Sequence, residues 1–142
     1  MRLRKKGVAI IEGYRGIMVV ANKRKVYSLP GGGADKGESR RHAVIREVLE
    51  ETKLKVISSK FLFSYEGNIW RDYWGRKTKN MGKVFLAKTK GIARPNHEIS
   101  YIKYWRPGSK LKLSHGAELV IKRYLEMKRE RKFCSGFYGR RF

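Results

Sequence analysis

Short apolar runs separated by polar segments dominate the chain and predict a protein rich in β-strands. The runs contain many β-branched and aromatic residues, which favour strands. They lie at residues 8–11, 17–21, 26–29, 54–57, 61–65, 83–88 and 99–105. The polar segment between the first two runs contains glycine and predicts a hairpin, and residues 2–6 are expected to form a basic leader ahead of it. For residues 66–82, which mix aromatic and basic side chains, we expect a long loop or an extended hairpin tip.

Two stretches follow the period of an α-helix instead. The first, residues 40–52, contains no Gly or Pro and follows Ser39 as its predicted N-cap. Its predicted core face consists of Val44, Ile45, Val48 and Leu49. The second follows Ser114 and runs to about Lys128, with an apolar side made of Leu119, Val120, Tyr124 and Leu125. The predicted order of elements is strands, a helix, further strands and a second helix. This order predicts an α+β domain, built as an α/β/α sandwich with a mixed β-sheet between helices.

Length and composition indicate one domain with its own core. At 142 residues the chain is long enough to bury a sizeable core, and it has no internal repeats. The N-terminus lacks the apolar stretch of a signal peptide and no apolar run has the length of a membrane span, so we expect a cytoplasmic protein with no membrane partner. The single cysteine, Cys134, excludes an internal disulfide and a multi-cysteine zinc site.

The net charge of the chain is its most unusual bulk property. The sequence carries 35 Lys and Arg against 12 Asp and Glu, a formal net charge of +23 at pH 7. Such a charge attracts polyanions: nucleotides, RNA, DNA or an anionic membrane surface. A host whose proteins are generally basic, or a lysine-rich thermophile surface, is the alternative explanation. RNA is therefore a candidate partner, although the charge alone does not distinguish it from the other polyanions.

The acidic residues concentrate in one short window. Five of the 12 lie between Gly31 and Leu54, namely Asp35, Glu38, Glu47, Glu50 and Glu51. On the predicted helix the last three share one face, and their mutual repulsion costs stability unless cations neutralise it. Arginines such as Arg46 would do so on an ordinary solvated acidic face. Hard divalent metal ions, which prefer carboxylate oxygens, are the other choice.

The same window resembles the Nudix box, which reads G-x5-E-x7-R-E-U-x-E-E-x-G-U with U aliphatic. Residues 32–54 keep eight of its nine defined positions. The kept positions are Gly32, Glu38, Arg46, Glu47, Val48, Glu50, Glu51 and Leu54. The departure is Lys53, where the family has a glycine that allows a left-handed helix end, a conformation open to lysine at a modest cost. Because no metal-binding position changes, the chain is identified as a member of the MutT-like Nudix hydrolases.

This resemblance implies a mixed sheet between helices, with a Nudix hydrolase domain over residues 1–128. It also implies an enzyme that uses Mg²⁺ or Mn²⁺ to cleave the pyrophosphate linkage of a nucleoside diphosphate derivative. Metal ions on carboxylates neutralise the phosphate oxygens and acidify a bound water. The implied metal ligands are Gly32, Glu47, Glu50 and Glu51.

The resemblance also assigns supporting and catalytic roles. Arg46 would orient the glutamates through an ion pair, and the supporting positions of the motif are Gly31, Gly33 and Glu38. The implied catalytic residues are Arg46, Glu47, Glu50 and Glu98. Family members take the general base from the box or from a later loop, where Glu98 is the best candidate. His97 and His115 are alternative proton shuttles, although lone histidines are more often structural, and His42 has no assigned role.

Substrate recognition lies outside the box, and its assignment stays open. The candidate substrate-binding residues are Trp70, Arg71, Tyr73 and Trp74, by stacking on a base and contacting phosphates; the alternative is that one or two of the aromatics fill the core. Residues 129–142 form a basic, aromatic tail that is disordered, packs on the domain or touches nucleic acid. Two further functions remain: a hydrolase of RNA 5′ phosphates or caps, and a binding module without catalysis.

Overall fold

The described part of the chain forms two sheets and two helices. In residues 1–135, the part of the chain that this computed structural model describes, the elements in order are β1 (Arg2–Ile10), β2 (Glu12–Gly13), β3 (Gly16–Ala21), β4 (Gly31–Gly33), α1 (Arg40–Thr52), β5 (Lys55–Arg71), β6 (Lys77–Lys90), β7 (Tyr101–Trp105) and α2 (His115–Ser135). The larger sheet has the order β4-β1-β6-β5, and the smaller one has the order β2-β3-β7. Because β1 and β6 are parallel and the other pairs antiparallel, the larger sheet is mixed, as predicted.

β1 connects the two halves of the core because its side chains alternate between opposite faces. Val8 and Ile10 belong to the apolar cluster that includes the buried residues of α2. Ala9 and Ile11, the latter just beyond the strand end, belong to the cluster that includes Val44 and Val48 of α1. The helices therefore lie on opposite sides of the strands, and the predicted α/β/α sandwich is confirmed.

The N-terminal pairing differs from the prediction. Residues 2–6 are the first half of β1, and not a leader, because sheet hydrogen bonds use the backbone whatever the side chains are; Arg2 lies opposite Thr78. The predicted hairpin between residues 8–11 and 17–21 shrinks to the pairing of β2 with the start of β3. The rest of β3 pairs with β7 in the smaller sheet.

Two segments near the glycines also differ. Residues 31–33, predicted as a loop, form β4 and pair with residues 6–8 of β1. This strand could not be predicted from the sequence, because three glycines have no side chains that could alternate between apolar and polar. Residues 26–29, predicted as a strand, form only isolated bridges at Tyr27 and Ser28.

Residues 66–82 form the far half of a long hairpin, the second of the two predicted alternatives. β5 and β6 pair antiparallel from Lys55 opposite Lys90 to Arg71 opposite Lys77, with three register shifts. Beyond Tyr65 most β5 side chains are exposed, so no apolar alternation reports this part of the strand.

Both helices form where predicted, with differences in their faces and length. α1 buries Ala43, Val44 and Val48, whereas Leu49 is half exposed, because the helix turns Ala43 toward the core instead. α2 continues beyond the predicted end to Ser135, into the segment expected to be a tail. Residues 136–142 of that tail lie outside the described residues. In the described part of the chain, neither helix has the length and apolarity to span a bilayer.

Candidate active site

The ends of α1 are fixed by local contacts. Its three glutamates, Glu47, Glu50 and Glu51, lie on one side of the helix, which we call the glutamate face. The Ser39 hydroxyl accepts a hydrogen bond from the His42 amide at 3.0 Å, which caps the first turn. At the other end Lys53 takes a left-handed conformation with φ of 64° and donates its amide to the Leu49 carbonyl. The predicted tolerance of lysine at this family glycine position is confirmed.

Arg46 is the centre of the polar network on this face. Its Nε and Nη2 each donate to the Glu38 carboxylate at 2.9 Å, a bidentate pair. Its Nη1 donates to Glu47 at 2.8 Å and reaches Glu50 at 3.4 Å, and Nη2 also donates to the Gly33 carbonyl at 3.1 Å. One guanidinium thus ties the loop before α1, the glycine strand and two box glutamates together.

The pKa values of this network follow from these contacts. The hydrogen bonds from Arg46, followed by one from the Asp35 amide, lower the pKa of Glu38 to about 2. The Glu38 hydrogen bonds in turn raise the pKa of Arg46 well above its ordinary value, against desolvation. Both groups therefore stay charged across the physiological range.

Glu51 has a different environment, since it is buried. Its Oε1 accepts a hydrogen bond from the Gly31 amide at 3.1 Å. Burial raises its pKa to about 8, and the nearby charges of Glu47 and Glu98 act in the same direction, while the Gly31 hydrogen bond opposes them. Burial therefore favours the protonated, uncharged form of the Glu51 side chain near pH 7.

Gly32 gives Glu47 the space that it occupies. A Cβ atom added at Gly32 would lie 2.8 Å from Glu47 Cδ and 3.0 Å from its Oε2. β4 therefore needs a residue without a side chain here for the backbone and the carboxylate to be adjacent. The box glycine and the box glutamate are in direct contact, although 15 positions apart in the chain.

The loop before β7 docks on the C-terminal end of α1 and carries Glu98. The Asn96 side-chain amide donates to the Glu50 carbonyl at 2.8 Å, and the Asn96 backbone amide donates to the Glu51 carbonyl at 3.1 Å. Glu98, two residues later, is close enough to contribute to the raised pKa of Glu51. The sequence missed Asn96, which has no family signal but sets the position of Glu98.

The donors on this face fit a hard divalent cation. Glu47, Glu50 and Glu51 offer carboxylate oxygens, the ligands that Mg²⁺ and Mn²⁺ prefer. A bound cation would favour the deprotonated form of the buried Glu51. Among residues 1–131, whose side chains the structure describes, no three Asp, Glu, His or Cys side chains converge closely enough to hold an ion as they stand. Arg46 holds Glu47 and Glu50, and the Gly31 amide holds Glu51.

A cleft of about 280 Å³ adjoins this face through Lys6. Its lining residues are Lys6, Tyr65, Glu66, Gly67, Asn68, Trp70, Asn80, Ser114, His115, Gly116 and Leu119. Desolvation, followed by the charge of Arg4, lowers the pKa of Lys6, while Glu51 and Glu47 oppose the change. Lys6 therefore lies between the cleft and the glutamates. Sequence reasoning missed it, although its phase with Val8 and Ile10 along β1 places it on an inward face.

The predicted substrate residues separate into two groups. Trp70 lines the cleft, as does His115. Tyr73 and Trp74 lie at the hairpin tip with 93% and 74% of their surface exposed, and Arg71 is exposed beside them. The alternative that these aromatics fill the core is wrong, because even Trp70 is 40% exposed.

The three histidines have distinct surroundings. His97 and Glu98 border a second, open cleft of about 400 Å³ together with Lys23 and Arg24. The His42 ring contacts the Ser39 hydroxyl at 2.9 Å and so belongs to the helix cap. The structure therefore places one histidine in each cleft and one in a structural contact.

The glycine strand, the capped helix with its glutamates, and the mixed sheet between two helices together define a Nudix-type architecture. The NUDIX domain model matches residues 2–126. This match covers most of the chain, and the protein belongs to the NUDIX family.

Solved structures agree with the family match. A structure assigned to the nudix hydrolase family from Chromobacterium violaceum is 32% identical, with a TM-score of 0.74 over 89% of this chain and 79% of that one. A MutT NUDIX hydrolase of Burkholderia pseudomallei has 21% identity and a TM-score of 0.71 over 86% and 98% of the two chains. The NUDIX domain of Shewanella oneidensis NrtR, solved with ADP ribose, has 19% identity and a TM-score of 0.65 over 89% and 88%. No curated protein sequence matches the chain.

Proposed function

We propose that this protein is a divalent-metal-dependent hydrolase that cleaves the pyrophosphate linkage of a nucleoside diphosphate derivative. The observation that carries the proposal is the Arg46 network, which holds two of the box glutamates on one face of α1 beside the glycine strand. An ordinary solvated acidic face needs no arginine that holds neighbouring carboxylates in place. A metal-dependent hydrolytic site needs carboxylate oxygens held close together, which Arg46 provides for Glu47 and Glu50.

In this proposal Glu47, Glu50 and Glu51 would hold Mg²⁺ or Mn²⁺, with the Gly32 carbonyl as a further oxygen donor. The ion would neutralise diphosphate oxygens and acidify a water. Arg46 keeps the carboxylates on one face before the ion arrives, and Glu38 keeps Arg46 in place through its bidentate pair. Such supporting contacts typically change metal affinity or activity by about 10–100-fold when removed.

Glu98 is proposed as the general base. Its loop is fixed to the carbonyls of Glu50 and Glu51 through Asn96, and this places Glu98 near the edge of the glutamate face. There it takes a proton from the attacking water, whose oxygen forms the new bond to phosphorus. The bridging P–O bond breaks, and the leaving phosphate retains its electron pair.

The cleft beside Lys6 is proposed as the site for the nucleoside portion. Trp70 and Tyr65 offer aromatic surface for a base, and the cleft volume of about 280 Å³ is near the lower end of small-molecule sites. Lys6, between the cleft and the glutamates, would contact the phosphates that link the two. The ADP ribose bound by the Shewanella oneidensis domain makes this compound a natural member of a substrate panel.

The test is release of phosphate and pyrophosphate from a nucleotide panel, with Mg²⁺ and with Mn²⁺. The panel contains nucleoside triphosphates, oxidised guanine nucleotides, ADP-ribose, dinucleoside polyphosphates and 5′-triphosphorylated RNA. Metal-dependent turnover of a small nucleotide supports the proposal and names the substrate class. Chelation of the metal is expected to abolish this turnover, and adding the ion back is expected to restore it.

The second candidate function is hydrolysis at RNA 5′ ends, which the net charge of +23 favours. Turnover of the RNA alone, with a steep fall as salt rises, would replace the small-nucleotide proposal by this one. Absence of turnover from folded protein that still binds metal would instead leave a nucleotide-binding module on the same fold.

A further inference from the structure

The β5–β6 hairpin ends in a turn that lies one residue pair beyond the last pairing of β6 with β1. β1 pairs with β6 only as far as Arg2 opposite Thr78, whereas β5 and β6 continue to Arg71 opposite Lys77. We call residues 70–79 the arm tip. It lies outside the glutamate face, and of its residues only Trp70 lines the cleft beside Lys6.

The arm tip exposes two adjacent aromatic side chains. Tyr73 and Trp74 are 93% and 74% exposed, and their ring centroids are 5.3 Å apart with an interplanar angle of 76°. Single exposed aromatics are ordinary on protein surfaces, whereas a paired aromatic surface at the end of an extended hairpin is an interaction feature. The Arg76 guanidinium lies 5.2 Å from the Trp74 ring centroid, so a cation adjoins the aromatic surface.

The charge that the arm tip presents to solvent is positive. Arg71, Arg76 and Lys77 are exposed, whereas the Asp72 carboxylate is turned inward with 6% of its side chain exposed. Arg76 Nε donates to Asp72 at 2.8 Å, and the Trp74 and Arg76 amides donate to the same carboxylate at 2.9 Å. The acidic group thus holds the turn together and leaves basic groups outside.

The turn is therefore ordered before any partner arrives. Besides the Asp72 bonds, Arg71 donates to the Gly75 carbonyl at 2.8 Å, and the Gly75 amide donates to the Asp72 carbonyl at 2.9 Å. An ordered aromatic surface loses little conformational entropy on binding, which favours stacking on flat ligands. Basic groups flanking that surface match a chain of phosphates.

We propose that the arm tip binds single-stranded nucleic acid. Trp74 and Tyr73 stack on bases, while Arg71, Arg76 and Lys77 contact the phosphates. This combination of aromatic surface and basic groups suits single strands, because their bases are unpaired and every base has a flat face. The net charge of +23 strengthens the attraction over longer distances. The binding requires no hydrolysis and is independent of the function proposed for the glutamate face.

The test is fluorescence anisotropy with a labelled single-stranded oligonucleotide of about 12 residues, in EDTA so that metal-dependent turnover is absent. The wild type is expected to bind and to lose affinity steeply between about 50 and 200 mM NaCl. The Tyr73→Ala, Trp74→Ala double variant is expected to bind about 10-fold or more weakly, since both stacking surfaces are removed. Lys77→Ala is expected to flatten the salt dependence by about 0.7 in slope.

Tyr14→Ala is the matched control, because Tyr14 is an exposed tyrosine with the Arg15 guanidinium 5.6 Å from its ring centroid, elsewhere on the surface. It should leave affinity unchanged. Circular dichroism melts of all variants confirm folding, which the exposure of the substituted side chains favours. The oligonucleotide should also quench the tryptophan emission of the wild type more than that of the double variant, which retains Trp70 and Trp105.

Three outcomes would overturn the proposal. Wild-type affinity in the double variant would assign binding to general surface charge. Equally tight binding of a duplex of the same length, with the same dependence on Trp74, would exclude stacking on unpaired bases. Binding to vesicles containing phosphatidylserine that depends on the two aromatics, without such a dependence for the oligonucleotide, would make the arm tip a membrane-surface contact.

Discussion

At the scale of single residues, Gly32 shows how an unremarkable position sets the chemistry beside it. Replacement by alanine puts a Cβ 2.8 Å from Glu47 Cδ, and the flexible carboxylate can move away at little thermodynamic cost. We therefore expect Gly32→Ala to lower kcat about 100-fold with a nearly unchanged melting temperature, because small displacements of a reacting group have effects of this size. Steady-state kinetics and a thermal melt measure the two quantities.

Gly13→Ala is the control for this substitution, since a Cβ at Gly13 meets no atom within 4 Å. It should leave both kcat and melting temperature unchanged. Equal activity of Gly32→Ala and the wild type would show that the position of Glu47 against the glycine strand does not matter.

Glu51 gives a prediction about stability and pH. Its pKa is about 8 in the folded protein against an ordinary value of 4.5, so between these values the folded state holds a proton that the unfolded chain has lost. The free energy of unfolding in metal-free buffer should therefore fall as pH rises from about 5 to about 8. Glu51→Gln should remove this decline, and denaturant titrations of both proteins across the range measure it.

Divalent cations supply the control, because an ion bound to the Glu51 carboxylate favours the deprotonated form. Saturating Mg²⁺ or Mn²⁺ should flatten the decline in the wild type and have no such effect in Glu51→Gln. A wild-type profile parallel to that of the variant in EDTA would contradict the assigned environment of Glu51.

Some residues of the candidate site can be predicted from the sequence, and others cannot. Arg46, Glu47 and Glu50 are predicted because their spacing on one helix places them on the same face without knowledge of the rest of the fold. Lys6 and Asn96 are brought to that face by strand pairing and by a docked loop, contacts between distant parts of the chain that spacing does not encode. The charge pattern therefore predicts the residues on the helix but does not predict Lys6 and Asn96 beside it.

At the scale of elements, the end of α1 is where this chain departs from its family and where stability can be gained. Lys53 has φ of 64°, a conformation in which a Cβ is unfavourable. Lys53→Gly should raise the free energy of unfolding by about 0.5–1 kcal/mol, the left-handed penalty less the added freedom of the unfolded glycine. Urea unfolding followed by circular dichroism measures the change.

Lys55→Gly is the matched control, since Lys55 begins β5 and is exposed. The same side-chain change in a strand should lower stability by about 0.5–1 kcal/mol, so the two variants should move in opposite directions. A loss of stability in both would mean that the helix end does not impose the left-handed conformation in solution.

The elements themselves divide by the signals that specify them. α1 has the predicted bounds because its cap, its period and its lack of Gly and Pro all agree. β4 and the polar half of β1 were missed because backbone pairing specifies them and their side chains do not. The sequence does not distinguish a long loop from a hairpin tip in residues 66–82. This far half of the β5–β6 hairpin has no buried face, so its side chains do not alternate between apolar and polar.

At the scale of the whole molecule, the net charge of +23 opposes compactness. Raising NaCl from about 20 to about 300 mM should relieve this repulsion and raise the melting temperature by about 3 °C for each kcal/mol gained. Differential scanning fluorimetry at several salt concentrations measures the rise, with sucrose of matched osmolarity as the uncharged control. A melting temperature that falls with salt would mean that attractive ion pairs, such as those of Arg46, dominate the balance.

The hydrolytic site proposed on the glutamate face of α1 requires the Glu50 carboxylate, and two matched substitutions measure this requirement. The kcat of Glu50→Gln is measured on the best panel substrate with saturating Mg²⁺, beside Glu126→Gln, which removes the same charge from an exposed position on α2. Both variants should melt within a few degrees of the wild type. The account predicts that Glu50→Gln loses about 100-fold or more of kcat while Glu126→Gln keeps wild-type turnover. Wild-type turnover in both variants would contradict it.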